Sequence, residues 1–353
     1  MTRRRVLPLD QTLGHQQSAC ARAGSQLYAD VLGGVIADVA GGGICAQVLG
    51  PHRDDEFATA LPLRFLGAVH RVVLEGRAPV LAAHFPSAGG SPGPTLVDDF
   101  LVAVADNRDE VERRLSDMVQ TNEVGRSAAL APGYATVAAR WGRPLRVLEI
   151  GASGGLNLRW DHYWYDTGAS TLGDPASPVR FIGSWQDAGG GLPHLGPVDV
   201  VERAACDRNP IDIGTDAGRT TLRAYLWPDQ VERRARLDAA LVVAEAVPVT
   251  VERADLADWA AARLAEPVAG VATLVAHSIV WQYVTRASRD RLRAVLTEAG
   301  ARATADAPLA WLRMEPAGAV ADLRLTSWPR GGEEVLATAE YHGVPVYWGA
   351  PAG

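Results

Sequence analysis

The chain has 353 residues, 48% of them hydrophobic and 21% charged, with a formal net charge of -7, a composition suited to one large globular domain or two smaller ones. All 34 basic residues are arginine, which excludes a phosphate loop with its lysine, a pyridoxal Schiff base and a lysine general base. The acidic balance argues against non-specific nucleic-acid binding, and no stretch reaches the ~18 uninterrupted apolar residues of a spanning helix.

Only four asparagines and seven isoleucines occur, a bias read as codon pressure from a GC-rich genome. Met1-Thr2-Arg3-Arg4-Arg5 resembles the start of a secretion signal, but Pro8 and Asp10 cut short the apolar run that should follow. Cys20, Cys45 and Cys206 are odd in number and widely spaced, which fits neither a disulfide framework nor a zinc site. The expected setting is the cytoplasm, with a small molecule as partner and neither nucleic acid nor membrane.

Residues 1–142 read as a helical domain. Leu27, Val31, Val35 and Val39 keep one face apolar and predict a helix over 16–39, and Leu61, Phe65, Ala68, Val69 and Val72 predict another over 61–74. Ser87 to Pro94 is a Gly/Pro-rich loop, and Thr95-Leu-Val-Asp98 is a capping-box-like start for a helix to about Leu115. Two shorter helices flank Ala131-Pro132-Gly133.

From 143 the period changes. Leu145 to Gly151 predicts a buried strand, with helix-like spacing from Leu156 to Tyr165, and 166–197 reads as a Gly/Pro-rich insertion with one strand at 179–182. Strands at 198–205, 247–251, 272–276 and 309–313 then alternate with helices at 228–246, 256–264 and 286–299, the last ending at Gly300. Segments 322–328 and 335–341 flank a Pro329-Arg-Gly-Gly332 hairpin loop. The expected fold is therefore an open, doubly wound, Rossmann-like α/β sheet with a C-terminal antiparallel hairpin, following the helical domain.

At the end of the first strand stands Glu149-Ile-Gly151-Ala-Ser153-Gly-Gly155-Leu. Glycine there permits positive φ and close backbone approach to a ligand in the crevice beyond the strand. Val147 to Gly155 resembles the first motif of class I S-adenosylmethionine-dependent methyltransferases, with Ser153 in place of the middle glycine. The whole chain from about residue 10 resembles the DUF2332 family through Gln120-Thr-Asn-Glu-Val-Gly-Arg126, the Glu149 loop, Cys206-Asp-Arg-Asn-Pro-Ile-Asp212, Leu226-Trp-Pro-Asp-Gln230 and His277-Ser278.

The methyltransferase resemblance implies S-adenosylmethionine as cofactor, its methionine part surrounded by Glu149, Gly151, Ser153 and Gly155. It implies Asp207 at the ribose hydroxyls and Asp255 near adenine, although Asp207 equally reads as an Asx-turn and Asp255 as an ordinary helix N-cap. Asn157 is either a cofactor contact or a helix cap. His277, after the fourth sheet strand, is the expected proton acceptor, with Ser278 and Tyr283 beside the substrate and Glu315 in a surface turn. Asn122, Glu123 and Arg126 form a polar patch expected either to hold substrate or to contain a local Glu123–Arg126 ion pair.

A rival reading takes Gly151-Ala-Ser153-Gly-Gly155 as the G-x-S-x-G nucleophile elbow of a serine esterase, with His342 supplying the base. A third is a protein that binds adenosylmethionine or its product without turnover.

Overall fold

The computed structural model describes residues 6–349; the arginine-rich opening Met1 to Arg5 lies outside the described residues. The chain divides into two compact units, one running to Thr121 and including Ile213–Ala235, the other comprising Asn122–Asp212 and the chain from Arg236 on. Residues 122–142 thus pack with the sheet, and 213–235 return to the helices.

The first unit holds α1 (Leu9–Arg22), α2 (Gln26–Ala40), α3 (Ile44–Leu49), α4 (Leu61–Leu74), α5 (Pro79–Ala82), α6 (Leu96–Asp106) and α7 (Arg108–Arg114). Its core includes Leu27, Val31, Phe65, Val69, Phe100 and Val111. Helix α4 keeps the predicted bounds. The single helix expected over 16–39 is broken in two, because Gly24 has φ +82 and the Ser25 hydroxyl accepts the Tyr28 N–H at 3.3 Å to start a new helix. The helix after Thr95 also breaks, at Asn107, whose side-chain amide donates to the Ala103 carbonyl at 3.0 Å. Thr95 makes no side-chain cap bond to the helix; its hydroxyl donates to Asp99 instead.

In the second unit α8 (Ser127–Trp141) runs unbroken through Pro132, so the two expected short helices are one. Proline has no N–H to give the Ala128 carbonyl four residues back, and the Trp185 indole donates to that carbonyl at 2.9 Å. The freed acceptor is satisfied and the helix persists. The region between Cys206 and Pro228 contains an unforeseen helix of the first unit, α9 (Asp216–Ala224), capped by Thr215. Helix α10 spans Val231–Ala246.

The strands are β1 (Leu145–Ile150), β2 (Trp164–Asp166), β3 (Thr171–Leu172), β4 (Arg180–Ile182), β5 (Trp185–Asp187), β6 (Val200–Asp207), β7 (Val251–Arg253), β8 (Ala272–Ser278), β9 (Leu309–Ala317), β10 (Val320–Trp328), β11 (Glu333–Ala339) and β12 (Val346–Trp348). Nine form a mixed sheet in the order β5-β12-β11-β10-β9-β8-β1-β6-β7, and β3-β2-β4 form a small second sheet. From β7 to β9 all pairings are parallel; β9, β10, β11 and β12 then run as an antiparallel meander, longer than the single hairpin expected.

The chain leaves β1 toward β6 and β7 on one side and resumes at β8 and β9 on the other, so the crevice beyond β1 and β8 is a topological switch point. One sheet face, carrying Leu148, Ile150, Val275 and Trp311, is covered by α11 (Leu256–Arg263) and α12 (Arg286–Arg302). Helix α8 packs on the opposite face. Helix α12 passes through Gly300 instead of stopping there, since a Cβ at that position would lie 2.5 Å from the Trp328 ring; the glycine serves packing.

Candidate functional site

The segment expected to continue as a helix from Leu156 is a 3-10 helix, Asn157–His162, followed by β2. Strand β1 therefore turns over Gly151 (φ +69), Ser153 (φ +54) and Gly155 (φ +70) with no α-helix N-terminus behind it. The turn is pinned to the end of β6: Gly151 and Ala152 N–H groups donate to the Cys206 carbonyl at 2.8 and 3.2 Å. On the other side it touches the β8 turn, where a Cβ on Gly151 would lie 2.6 Å from the Val280 side chain. The sheet thus brings the β1 and β8 turns together at the switch point, as the sequence implied.

Asp207, at the last position of β6, accepts the Ser153 N–H at 2.9 Å on one carboxylate oxygen and the Asn209 N–H at 2.7 Å on the other. It is thus both the Asx-turn foreseen and a clamp on the glycine-rich turn. Asn122 accepts the Leu156 N–H at 2.9 Å. Asn157 caps no α-helix: its amide oxygen accepts the Ser127 hydroxyl at 2.8 Å and its NH2 donates to the Glu123 carbonyl at 3.2 Å. Asp255 accepts from Ala257 N–H at 3.0 Å and is the N-cap of α11.

Glu149 is 3% exposed, and alternation along β1 turns it away from Leu148 and Ile150, toward the α8 face. No hydrogen bond or ion pair joins its carboxyl to another group among the described residues, and Oε2 is sealed from solvent. Burial pushes the carboxyl up to about 8, opposed by Arg159 and Arg126 and reinforced by Asp207. Arg159, unremarked in the sequence, donates to the Val247 carbonyl at 2.7 Å and the Gly155 carbonyl at 2.8 Å, so its guanidinium holds the turn without pairing with Glu149. Its place four residues beyond Gly155 was the available signal.

His277 lies elsewhere. It shares the parity of Val275 and so faces α11 and α12, the opposite side of the sheet from Glu149. Its ring is buried, with the Trp311 N–H donating to Nε2 at 3.0 Å and Nδ1 2.7 Å from Glu315 Oε1. An indole can only donate, so Nε2 accepts and the ring proton sits on Nδ1, directed at the carboxylate. Both nitrogens are engaged within the described residues, the arrangement of a hydrogen-bonded structural histidine. Glu315, expected in a surface turn, is buried within β9 and also accepts the Val280 and Trp281 N–H groups at 2.9 and 3.1 Å. Tyr283, 42% exposed, closes the 3-10 turn after Val280.

Glu123 accepts the Gly125 N–H at 3.0 Å and lies 3.4 Å from His342 Nδ1. Arg126 donates to the Tyr341 carbonyl at 3.1 Å and to the Ser278 carbonyl at 3.2 Å, linking the end of β8 to the β11–β12 loop. Ser153, the nucleophile of the esterase reading, is 4% exposed. The described residues contain no group of three or more His, Cys, Asp or Glu able to hold a metal, and no single helix among them is long and apolar enough to cross a membrane.

No curated protein and no solved structure matches the chain. A family model does, over residues 10–348, under the description of an uncharacterised protein conserved in bacteria. That match spans nearly the whole chain, including the glycine-rich turn, Asp207, the β8 end and Arg126, and by it the protein belongs to the DUF2332 family.

Proposed function

We propose that this chain is an S-adenosylmethionine-dependent methyltransferase acting on a small molecule, built on a Rossmann-like class I sheet. The observation that carries the reading is a left-handed glycine-rich turn lying at the switch point of the parallel strands, beside a buried carboxyl without a partner. Counted along the parallel half, β7-β6-β1-β8-β9 is the 3-2-1-4-5 order of doubly wound nucleotide-binding sheets.

A ligand without a pyrophosphate suits this turn. A dinucleotide's pyrophosphate is met by a helix N-terminus, whereas a 3-10 helix follows here and the chain has no lysine. A nucleoside without phosphates, carrying a cationic amino-acid part, suits a turn backed by Glu149. Glu149, Gly151, Ser153 and Gly155 would hold the methionine portion and Asp207 the ribose hydroxyls. Asp255, assigned to the neighbourhood of adenine by the resemblance, also serves as the N-cap of α11. The bound cofactor supplies a methyl group already activated by its sulfonium; the protein's task is alignment.

The engaged ring of His277 favours a second reading, a protein that binds adenosylmethionine or adenosylhomocysteine without turnover. Isothermal titration with both ligands tests the shared premise. Saturable binding weakened by Gly155→Val supports it; absence of binding together with fluorophosphonate labelling at Ser153 would replace it with the esterase. Formation of adenosylhomocysteine in the presence of nucleophilic small molecules separates transferase from binding protein.

A further inference from the structure

We propose that Glu149 is a neutral carboxylic acid in the ligand-free protein and gives up its proton when a cationic ligand occupies the switch point, so that binding releases one proton. The inference rests on the proposed cofactor site and concerns its charge balance.

The geometry makes an ionised Glu149 costly. Its side chain is buried at the C-terminal end of β1, joined by no hydrogen bond or ion pair among the described residues, with Oε2 shut off from water. A carboxyl this deeply buried, without a partner and with one oxygen shut off from water, stays neutral more cheaply than it ionises.

The charged and titratable groups around it come from five segments. Arg159, on the 3-10 helix, points its N–H groups at the Val247 and Gly155 carbonyls. Arg126, on the segment before α8, reaches the Tyr341 and Ser278 carbonyls. Asp207, at the end of β6, adds a negative charge clamped by two backbone N–H groups. Tyr134 from α8 and Tyr163 before β2 have their hydroxyls pushed far above the usual tyrosine range by burial, with Glu149 adding to the effect, so both are neutral. Two guanidiniums and one carboxylate thus act on Glu149, and neither guanidinium bonds its carboxyl. Burial outweighs them and holds the carboxyl near 8. A ligand bearing an ammonium and a sulfonium supplies the missing counter-charge and tips the balance toward the carboxylate.

The proton balance is simple: Glu149 COOH plus the cationic ligand gives the carboxylate–cation pair and a proton passed to solvent. No bond to carbon is made or broken.

The test is calorimetric titration of the full chain with S-adenosylmethionine in buffers of different ionisation enthalpy, comparing wild type with Glu149→Gln. At about pH 6.5 wild type is expected to release close to one proton more than the variant, with affinity rising about tenfold per pH unit toward 8 and flattening above it. The extra release should vanish by about pH 9, where Glu149 is already ionised. Because glutamine mimics the neutral acid, the variant is expected to fold; if it does not, the fall in wild-type proton release over the same range decides the matter alone.

Binding with equal proton release in both proteins, or with release unchanged to about pH 9, overturns the linkage while leaving the cofactor reading intact. Absence of binding overturns both. An infrared band of a protonated carboxyl in ligand-free wild type, missing in Glu149→Gln, is the direct signature, and its absence at about pH 6.5 also overturns the proposal.

Discussion

Glu149 and Glu315 show how environment divides two buried carboxyls. Glu315 accepts three bonds, from His277 and from the Val280 and Trp281 N–H groups, and fixes the turn after β8, where Ile279 takes φ +54. Glu315→Ala would strand a buried imidazole N–H and two backbone N–H groups, an expected loss of roughly 2–4 kcal/mol in denaturant unfolding; a loss below about 1 kcal/mol would show that the network contributes little. Glu149, which accepts no such bonds among the described residues, ties its part in stability to pH. Its folded pKa is raised, so its contribution is fully present below the ordinary value of 4.5 and is lost as pH rises through about 8. Wild-type Tm should therefore fall between those limits by more than that of Glu149→Gln, the variant melting several degrees higher at about pH 8.5. Parallel pH profiles for the two proteins would refute the raised pKa. None of this was legible in the sequence: a glutamate two residues before a glycine-rich turn announces a site, whereas whether its carboxyl finds partners depends on Arg159 and Arg126, whose guanidinium directions only the fold sets. The partners of His277 were illegible for the same reason, because Trp311 and Glu315 stand 34 and 38 residues away.

Elements were legible where a period or a stop signal acted alone. Helix α4 and strand β8 follow from their apolar patterns, and the 329–332 turn from its proline and glycines. Competing local signals defeated the reading elsewhere: Gly24 and Ser25 split a continuous apolar stripe, while the Trp185 indole rescued a helix through Pro132. The run from Leu156 has helical spacing yet becomes a 3-10 helix and a strand, its termini tied by Asn122 and by the Tyr163 hydroxyl on the Leu156 carbonyl at 2.6 Å. Another junction unreadable from sequence is the crossing of the β11–β12 loop over the segment before α8. Gly343 has φ +91, and a Cβ there would lie 2.2 Å from the Gly125 carbonyl oxygen. Gly343→Ala is thus strained in conformation and blocked by backbone. It should release the loop that Arg126 grips through the Tyr341 carbonyl, seen as new proteolytic cleavage near Tyr341 and a Tm lowered by several degrees. Resistance to cleavage with unchanged Tm would mean that the crossing yields easily.

At the scale of the whole molecule, each of the two units carries its own apolar core, one around Phe65 and Phe100, the other between the sheet and α11 and α12. The residues proposed to hold the cofactor, Glu149 through Gly155 with Asp207, all belong to the second unit. A ligand that binds only the folded form of that unit stabilises it by mass action, about 2.7 kcal/mol at a hundredfold excess over Kd. Adenosylmethionine should therefore slow amide exchange in β1, the glycine-rich turn and the end of β6, and leave α1 to α7 exchanging as before. In a calorimetric scan showing two transitions, one should move and the other should not. Protection concentrated in the helices around Phe65 and Phe100, with β1 unchanged, would place the ligand away from the switch point and remove Glu149 and Asp207 from its binding.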